Sequence, residues 1–308
     1  MSSAPQTSLQ EWHVTEPYLN LHCSLGEGPF YEAASNSLRF VDIKKKRLHS
    51  VNLNEGPDSV TTTQLDTAVT VTADIEGVDP RERILIGTKY GLAVLDRKTG
   101  KYEYIARFAE SDNERLRSND GAADPHGRFW LGTMTDFELD LQDEGHVYLF
   151  SESPIGQSMR HPVTIPNGIA WSPDNSIMYF THSTARTVFA FDYSSVDGSL
   201  SNERVFYQHQ GPGEPDGFRV DADGNIWHAV YGESRVIKIS AAGELVGQIN
   251  LPTQNITCTQ FVGTELFITT AAMDNGESSN KAVELGGALF KVDVGVMGLD
   301  PFKFKLGK

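Results

Sequence analysis

Apolar residues along the chain come in short alternating or continuous runs, rich in β-branched and aromatic types and bounded by Gly, Asp, Asn and Pro. That is the pattern of strands separated by tight turns; helical periodicity is almost absent. Six runs stand out: SLRFVDI from Ser37, RILIG from Arg83, RFWLG from Arg128, IMYFT from Ile177, NIWHA from Asn225 and ELFIT from Glu265. Each follows another short apolar segment and a turn, and most precede a loop and a further strand. The unit reads strand, turn, strand, loop, strand, turn, strand, six times over.

Counting five residues back from the first turn of each unit gives Glu27, Asp74, Asn119, Asn167 and Asp216, with Cys258 nearest in the sixth, at steps of 42 to 49 residues. A four-stranded repeat of about 40–50 residues is the spacing of propeller blades. One blade cannot bury both faces, so the units must pack radially into a ring. The fold expected is all-β, a six-bladed β-propeller over residues 1–308 as a single domain, closed by an N-terminal strand near Trp12–Leu19 on the last blade.

In such a ring the innermost strands line a central axis, and residues at one register converge on one end of it. Five oxygen-bearing side chains aimed at one point are costly without a cation or strong hydrogen bonding among them. Carboxylate and amide oxygens are hard ligands, suited to Ca²⁺, Mg²⁺ or Mn²⁺. Taken singly, Glu27-Gly28, Asn167-Gly168 and Asp216-Gly217 also read as ordinary turn pairs. Their shared register favours a site. Asp74 is its weakest member, because the turn of its unit fits more than one register.

Composition narrows the partners. The formal net charge is −15 over 308 residues, which repels phosphate backbones, so no nucleic-acid partner is expected. No apolar stretch approaches the roughly 18 residues of a membrane span, and the opening MSSAPQTSLQEWHV carries no signal-peptide pattern. Two cysteines, Cys23 and Cys258, make neither a disulfide framework nor a zinc knuckle. A cytoplasmic protein, monomeric or weakly self-associating, is expected. The histidines show no HExxH spacing, no GxSxG elbow surrounds a serine, and the stretch Asp221–Asn225 lacks the distal Glu of a calcium loop.

The chain resembles the family of senescence marker protein (regucalcin), gluconolactonase and luciferin-regenerating enzyme. The resemblance rests on Leu25-Gly26-Glu27-Gly28-Pro29, Arg117-Ser118-Asn119-Asp120-Gly121, DPHGRFWLGTM from Asp124, PNGIAWSP from Pro166 and Pro215-Asp216-Gly217, in order and across nearly the whole chain. It implies one divalent cation on the axis, Ca²⁺, Mg²⁺, Mn²⁺ or Zn²⁺, held by Glu27, Asn167 and Asp216. It implies substrate contacts from Arg117 and Asn119. A third contact falls on Asp136, where some relatives carry the longer Glu.

The activity implied is hydrolysis of a sugar lactone, with Asp216 also serving as proton acceptor. The alternatives are a related metal-dependent esterase or organophosphate hydrolase, and a calcium-binding regulatory propeller without catalysis. A protein-interaction propeller fits poorly with so polar an axial register. The polar segment 136–145 reads equally as a lid over the site and as a surface loop.

Overall fold

The computed structural model describes residues 9–151, 153–273 and 279–307. Six antiparallel sheets stand around a central channel. Their innermost strands are Gly26–Glu32, Val69–Ala73, Leu116–Ala123, Pro166–Trp171, Glu214–Val220 and Ile256–Val262. Each contacts the next and the sixth returns to the first, so the ring is closed. These are the six repeats seen in the sequence, here called blades 1 to 6. Among the described residues two minor helices, Pro57–Ser59 and Asn280–Glu284, lie outside the sheets.

Both ends of the chain reinforce the ring. Leu19–Asn20 pairs antiparallel with Leu289 and Ala288, supplying the fourth strand of blade 6. The residues around Trp12 do something different from the expected closure. Gln10–His13 adds a fifth strand in parallel to the outer edge of blade 5, where Trp12 packs edge-on against Trp227 at 5.1 Å. At the other end, the last residues cross the end of the channel opposite the candidate site. Leu299 N bonds Val220 O at 3.0 Å, Phe304 N bonds Asp74 O at 2.8 Å, and Lys305 N bonds Gly127 O at 2.8 Å.

Between blades the core is apolar, with Trp130, Phe129, Phe180, Trp227 and Phe290 fully buried. Tight turns between first and second strands are organised by buried aspartates. Asp221 Oδ1 accepts from Asp223 N and Asn225 N, and its Oδ2 accepts from Trp227 Nε1 at 2.8 Å. Asp124 does the same in blade 3, adding Arg128 and Tyr193. The calcium-loop likeness of Asp221–Asn225 is therefore a turn whose acceptors are already engaged.

Every innermost strand carries a β-bulge at the same height, between Glu27 and Phe30, Val69 and Val71, Ser118 and Gly121, Asn167 and Ile169, Pro215 and Phe218, and Ile256 and Cys258. A bulge re-aims the side chain it displaces. In four of the blades a residue held in this kink, Glu27, Asn119, Asn167 or Asp216, lines the cavity of the candidate site.

Candidate metal centre and active site

The bulges explain which residues meet. Glu27, Asn119, Asn167 and Asp216 line one cavity of about 220 Å³ at the end where the innermost strands begin, with Arg117 at its wall. Gly168 and Gly217 are not turn glycines. They sit within strands, where a Cβ would fall 2.2 Å from the Phe218 ring and 2.4 Å from Cys258 Sγ. Their bareness lets neighbouring innermost strands close up, bringing Asn167 and Asp216 to the axis.

Asp74 is not in this group. It follows strand Val69–Ala73 at the far end of blade 2, where Arg39 Nη1 binds its Oδ1 at 2.7 Å. Blade 2 has a long first loop, residues 74–82, so counting back from its turn lands four residues late. Thr70 occupies the bulge there and bonds Ser118 Oγ at 2.8 Å. In blade 6 the bulge residue is Thr257 rather than Cys258, and its hydroxyl donates to Gly26 O at 2.6 Å.

The amides are oriented by a directed hydrogen-bond chain. Arg117 Nη1 donates to Asn119 Oδ1 at 3.0 Å, Asn119 Nδ2 to Asn167 Oδ1 at 3.0 Å, and Asn167 Nδ2 to Ser183 Oγ at 2.8 Å. Ser183 then donates to Pro215 O at 2.6 Å. Guanidinium can only donate, and the Pro166 carbonyl that takes the other Asn119 Nδ2 proton at 2.9 Å can only accept, so the two together fix the direction of the chain. Arg117 is buried, its Nε has no partner, and the Phe137 ring lies 4.1 Å from its guanidinium carbon. Burial lowers its pKa to about 10.

Electrostatically the centre is poised for a cation. Burial, then repulsion from Asp120, pushes Glu27 up to about 8, although its Oε2 accepts from Gly28 N at 2.9 Å. Burial and the Glu27 charge push Asp216 well above the ordinary carboxylate range. Asp120, also raised by burial, has an Oδ2 with no partner. Among the described residues no group of three His, Cys, Asp or Glu side chains is disposed as a metal cage. The donors here are two carboxylates and an amide oxygen beside a third, unsatisfied carboxylate. Such a set fits a hard divalent ion with open coordination positions.

Asp136 lies outside this cavity. Its Oδ2 is held by Lys89 Nζ at 2.7 Å, and it lines a neighbouring groove. The segment 136–144 is pinned at its base by Glu144 to Arg115 at 2.9 Å and to Thr135 at 2.7 Å. Phe137 from this segment reaches the cavity wall.

Sequence reasoning missed Lys44, Phe137, Glu214 and Tyr231, which also line the cavity. It also missed Arg219, three residues after Asp216, whose Nε donates to Gln260 Oε1 at 2.9 Å and whose Nη2 reaches Pro29 O at 3.3 Å. Of these only Glu214 and Arg219 carried a signal, an ionisable residue within an axial strand, as Asp120 also did. The two thiols are free and buried, with burial raising Cys23 to about 12 and Cys258 well above its usual value.

Residues 25–272 match the family model described as SMP-30/Gluconolactonase/LRE-like region. The chain belongs to this family. Among the similar members is pentonolactonase XacC of Haloferax volcanii, 32% identical over 290 residues, covering 91% of this chain and 94% of that protein. Human regucalcin is 33% identical over 297 residues, covering 92% and 95%. A solved regucalcin from Agrobacterium tumefaciens, described as a calcium-binding protein, superposes with a TM-score of 0.87 at 26% identity, covering 96% of this chain and 99% of that one. Its agreement over almost the whole chain matches the ring seen here. Among the described residues no helix is long and apolar enough to cross a membrane.

Proposed function

We propose that the protein is a metal-dependent lactonase that opens a sugar lactone to the aldonic acid. The carrying observation is the convergence of Glu27, Asn167 and Asp216 on one cavity beside a buried arginine with a free Nε. Family membership and similarity to a protein named pentonolactonase support the same chemistry.

Glu27, Asn167 and Asp216 would hold one divalent cation. When bound, such an ion polarises the lactone carbonyl and offsets the negative charge that develops on its oxygen. Water adds to the carbonyl carbon, the ring C–O bond breaks, and the ring oxygen leaves as a hydroxyl. The other proton is released with the carboxylate product. Asp216 accepts the proton from the attacking water at a carboxylate oxygen. Arg117 and Asn119 hold ring hydroxyls, with Asn119 fixed between Arg117 and Asn167. Phe137 shields the guanidinium from water, which strengthens its bonds to substrate. The buried free thiols support a reducing, cytoplasmic setting.

The test is turnover of an aldonolactone panel by chelator-stripped protein and after return of Ca²⁺, Mg²⁺, Mn²⁺ or Zn²⁺. Turnover is expected to vanish and return; undiminished activity in metal-free protein would sink the mechanism.

A further inference from the structure

A second, larger cavity opens from the first. The groove is about 620 Å³ and runs between the ends of blades 1, 2 and 3, sharing Arg117, Lys44 and Phe137 with the candidate metal centre. Its charge is opposite to that of the molecule. The protein carries −15 overall, yet the groove is lined by Lys44, Lys46, Lys89, Arg107 and Arg117 against only Asp66 and Asp136.

Among the described residues only Lys89 of these cations makes a close ion pair, although Arg117 also feels the charges of Asp136, Glu27 and Asp216. Lys89 is engaged by Asp136 at 2.7 Å and Glu114 at 3.0 Å. Among the described residues no carboxylate lies within 4.0 Å of Lys44, Lys46, Arg107 or Arg117. Instead Arg107 stacks 4.2 Å from the Tyr104 ring and Lys44 lies 5.4 Å from that of Phe137, while Lys46 Nζ donates to the Asp66 carbonyl at 3.1 Å. Arg117 is the buried member, and its Nε is unpartnered.

A solvated basic patch on so acidic a surface would collect carboxylates. This one has aromatic walls and opens onto the reaction cavity. We infer that the substrate is an acidic sugar lactone, its ring in the metal-centre cavity and a carboxylate or phosphate on its far carbon in this groove. Guanidinium groups suit either anion, since their fork matches two acceptor oxygens. The cations would also raise the local concentration of an anionic substrate at the mouth of a protein that otherwise repels it. Lys44 and Arg117, shared by both cavities, would then bridge ring and anion.

The inference rests on the lactonase reading, and the experiment separates the two. Values of kcat/KM are measured on metal-loaded protein for glucono-1,5-lactone, glucaro-1,4-lactone and 6-phosphoglucono-1,5-lactone, which are neutral, carboxylated and phosphorylated. The wild type is expected to favour at least one anionic lactone over the neutral one by roughly tenfold or more. Preference for the carboxylated or the phosphorylated compound identifies the anion.

In the double variant Lys46→Gln/Arg107→Gln, at exposed positions confined to the groove, that ratio should fall toward one. It should also fall in wild type as salt is raised to about 0.5 M, where exposed charges are strongly screened. Hydrolysis of the neutral lactone with no preference for either anionic one overturns this inference alone. So does a preference that the double variant leaves intact. Failure to hydrolyse any of the three overturns the lactonase reading along with it.

Discussion

Removing Arg39 should cost more stability than almost any other single change, far from the candidate site. Its side chain is fully buried, and Nη1 binds both Glu32 Oε1 at 2.8 Å and Asp74 Oδ1 at 2.7 Å. Nε donates to Thr72 Oγ1 at 2.7 Å, and the guanidinium carbon lies 4.0 Å from the Phe30 ring centre. Arg39 thus ties blade 1 to blade 2 through Asp74 and Thr72. In Arg39→Met, Glu32 keeps Arg97 at 2.5 Å, but Asp74, 5% exposed, keeps no cation within 4.0 Å among the described residues. Stranding a buried charge costs about 3–5 kcal/mol, and the lost Thr72 bond about 1 kcal/mol more. At about 2 °C per kcal/mol for a chain of this size, Tm should fall by roughly 8–12 °C. Thermal melts and urea titrations measure it. Arg39→Met/Asp74→Leu removes both charges and should recover at least half the loss. A single-variant cost below about 1 kcal/mol, or a double variant no better than the single, would refute Asp74's dependence on Arg39.

Other perturbations bear on the site and on pH. Asp216→Asn should lower turnover by about 10²–10⁴-fold if the carboxylate accepts a proton, whereas Arg117→Ala should spare metal uptake and lower kcat/KM; metal titration beside steady-state kinetics separates the two. Arg219→Met removes a positive charge that lowers the pKa of Glu27 and Asp120. It should tighten Ca²⁺ binding by roughly tenfold and destabilise the metal-free protein, while Arg219→Lys stays near wild type; calorimetric titration with equal affinities in all three would contradict this. Burial lowers His49 to about 4 and His228 to about 3. Both folded values lie below the unfolded 6.5, so the stability they contribute is complete above pH 6.5 and drains as pH falls toward 4 and 3. By pH 5 each should have lost about 2 kcal/mol. His49→Leu should make the pH 8 to pH 5 loss in metal-loaded protein visibly smaller, and an identical slope would count against a neutral buried His49.

The repeat, the ring and four axial residues were legible because alternation and turn chemistry are local. Asp74 shows the limit of that reasoning. Counting from a turn assumes equal loops, and the longer loop of blade 2 moved the register, so Thr70 holds the bulge instead. Gly168 and Gly217 look like turn formers by type, yet their bareness serves packing against the next blade. Trp12 carries a strand-like pattern, but nothing local says it joins blade 5 rather than blade 6. Lys44 and Phe137 were invisible for the same reason. Each reaches the cavity from a loop at the end of the ring, and reach across blades leaves no periodic trace in one blade's sequence.

The repeated kink in the innermost strands has an evolutionary consequence. It gives every blade the same socket, filled by whatever its bulge holds: Glu27, Thr70, Asn119 with Asp120, Asn167, Asp216 and Thr257. Thr70 and Thr257 show that a socket can carry a small hydroxyl that only stitches blades together. A one-residue exchange to a longer side chain at either would bring a new functional group toward the axis without altering a strand, a loop or the closure. New chemistry on such a ring can therefore arise by point substitution alone, with no insertion and no redesign of the scaffold.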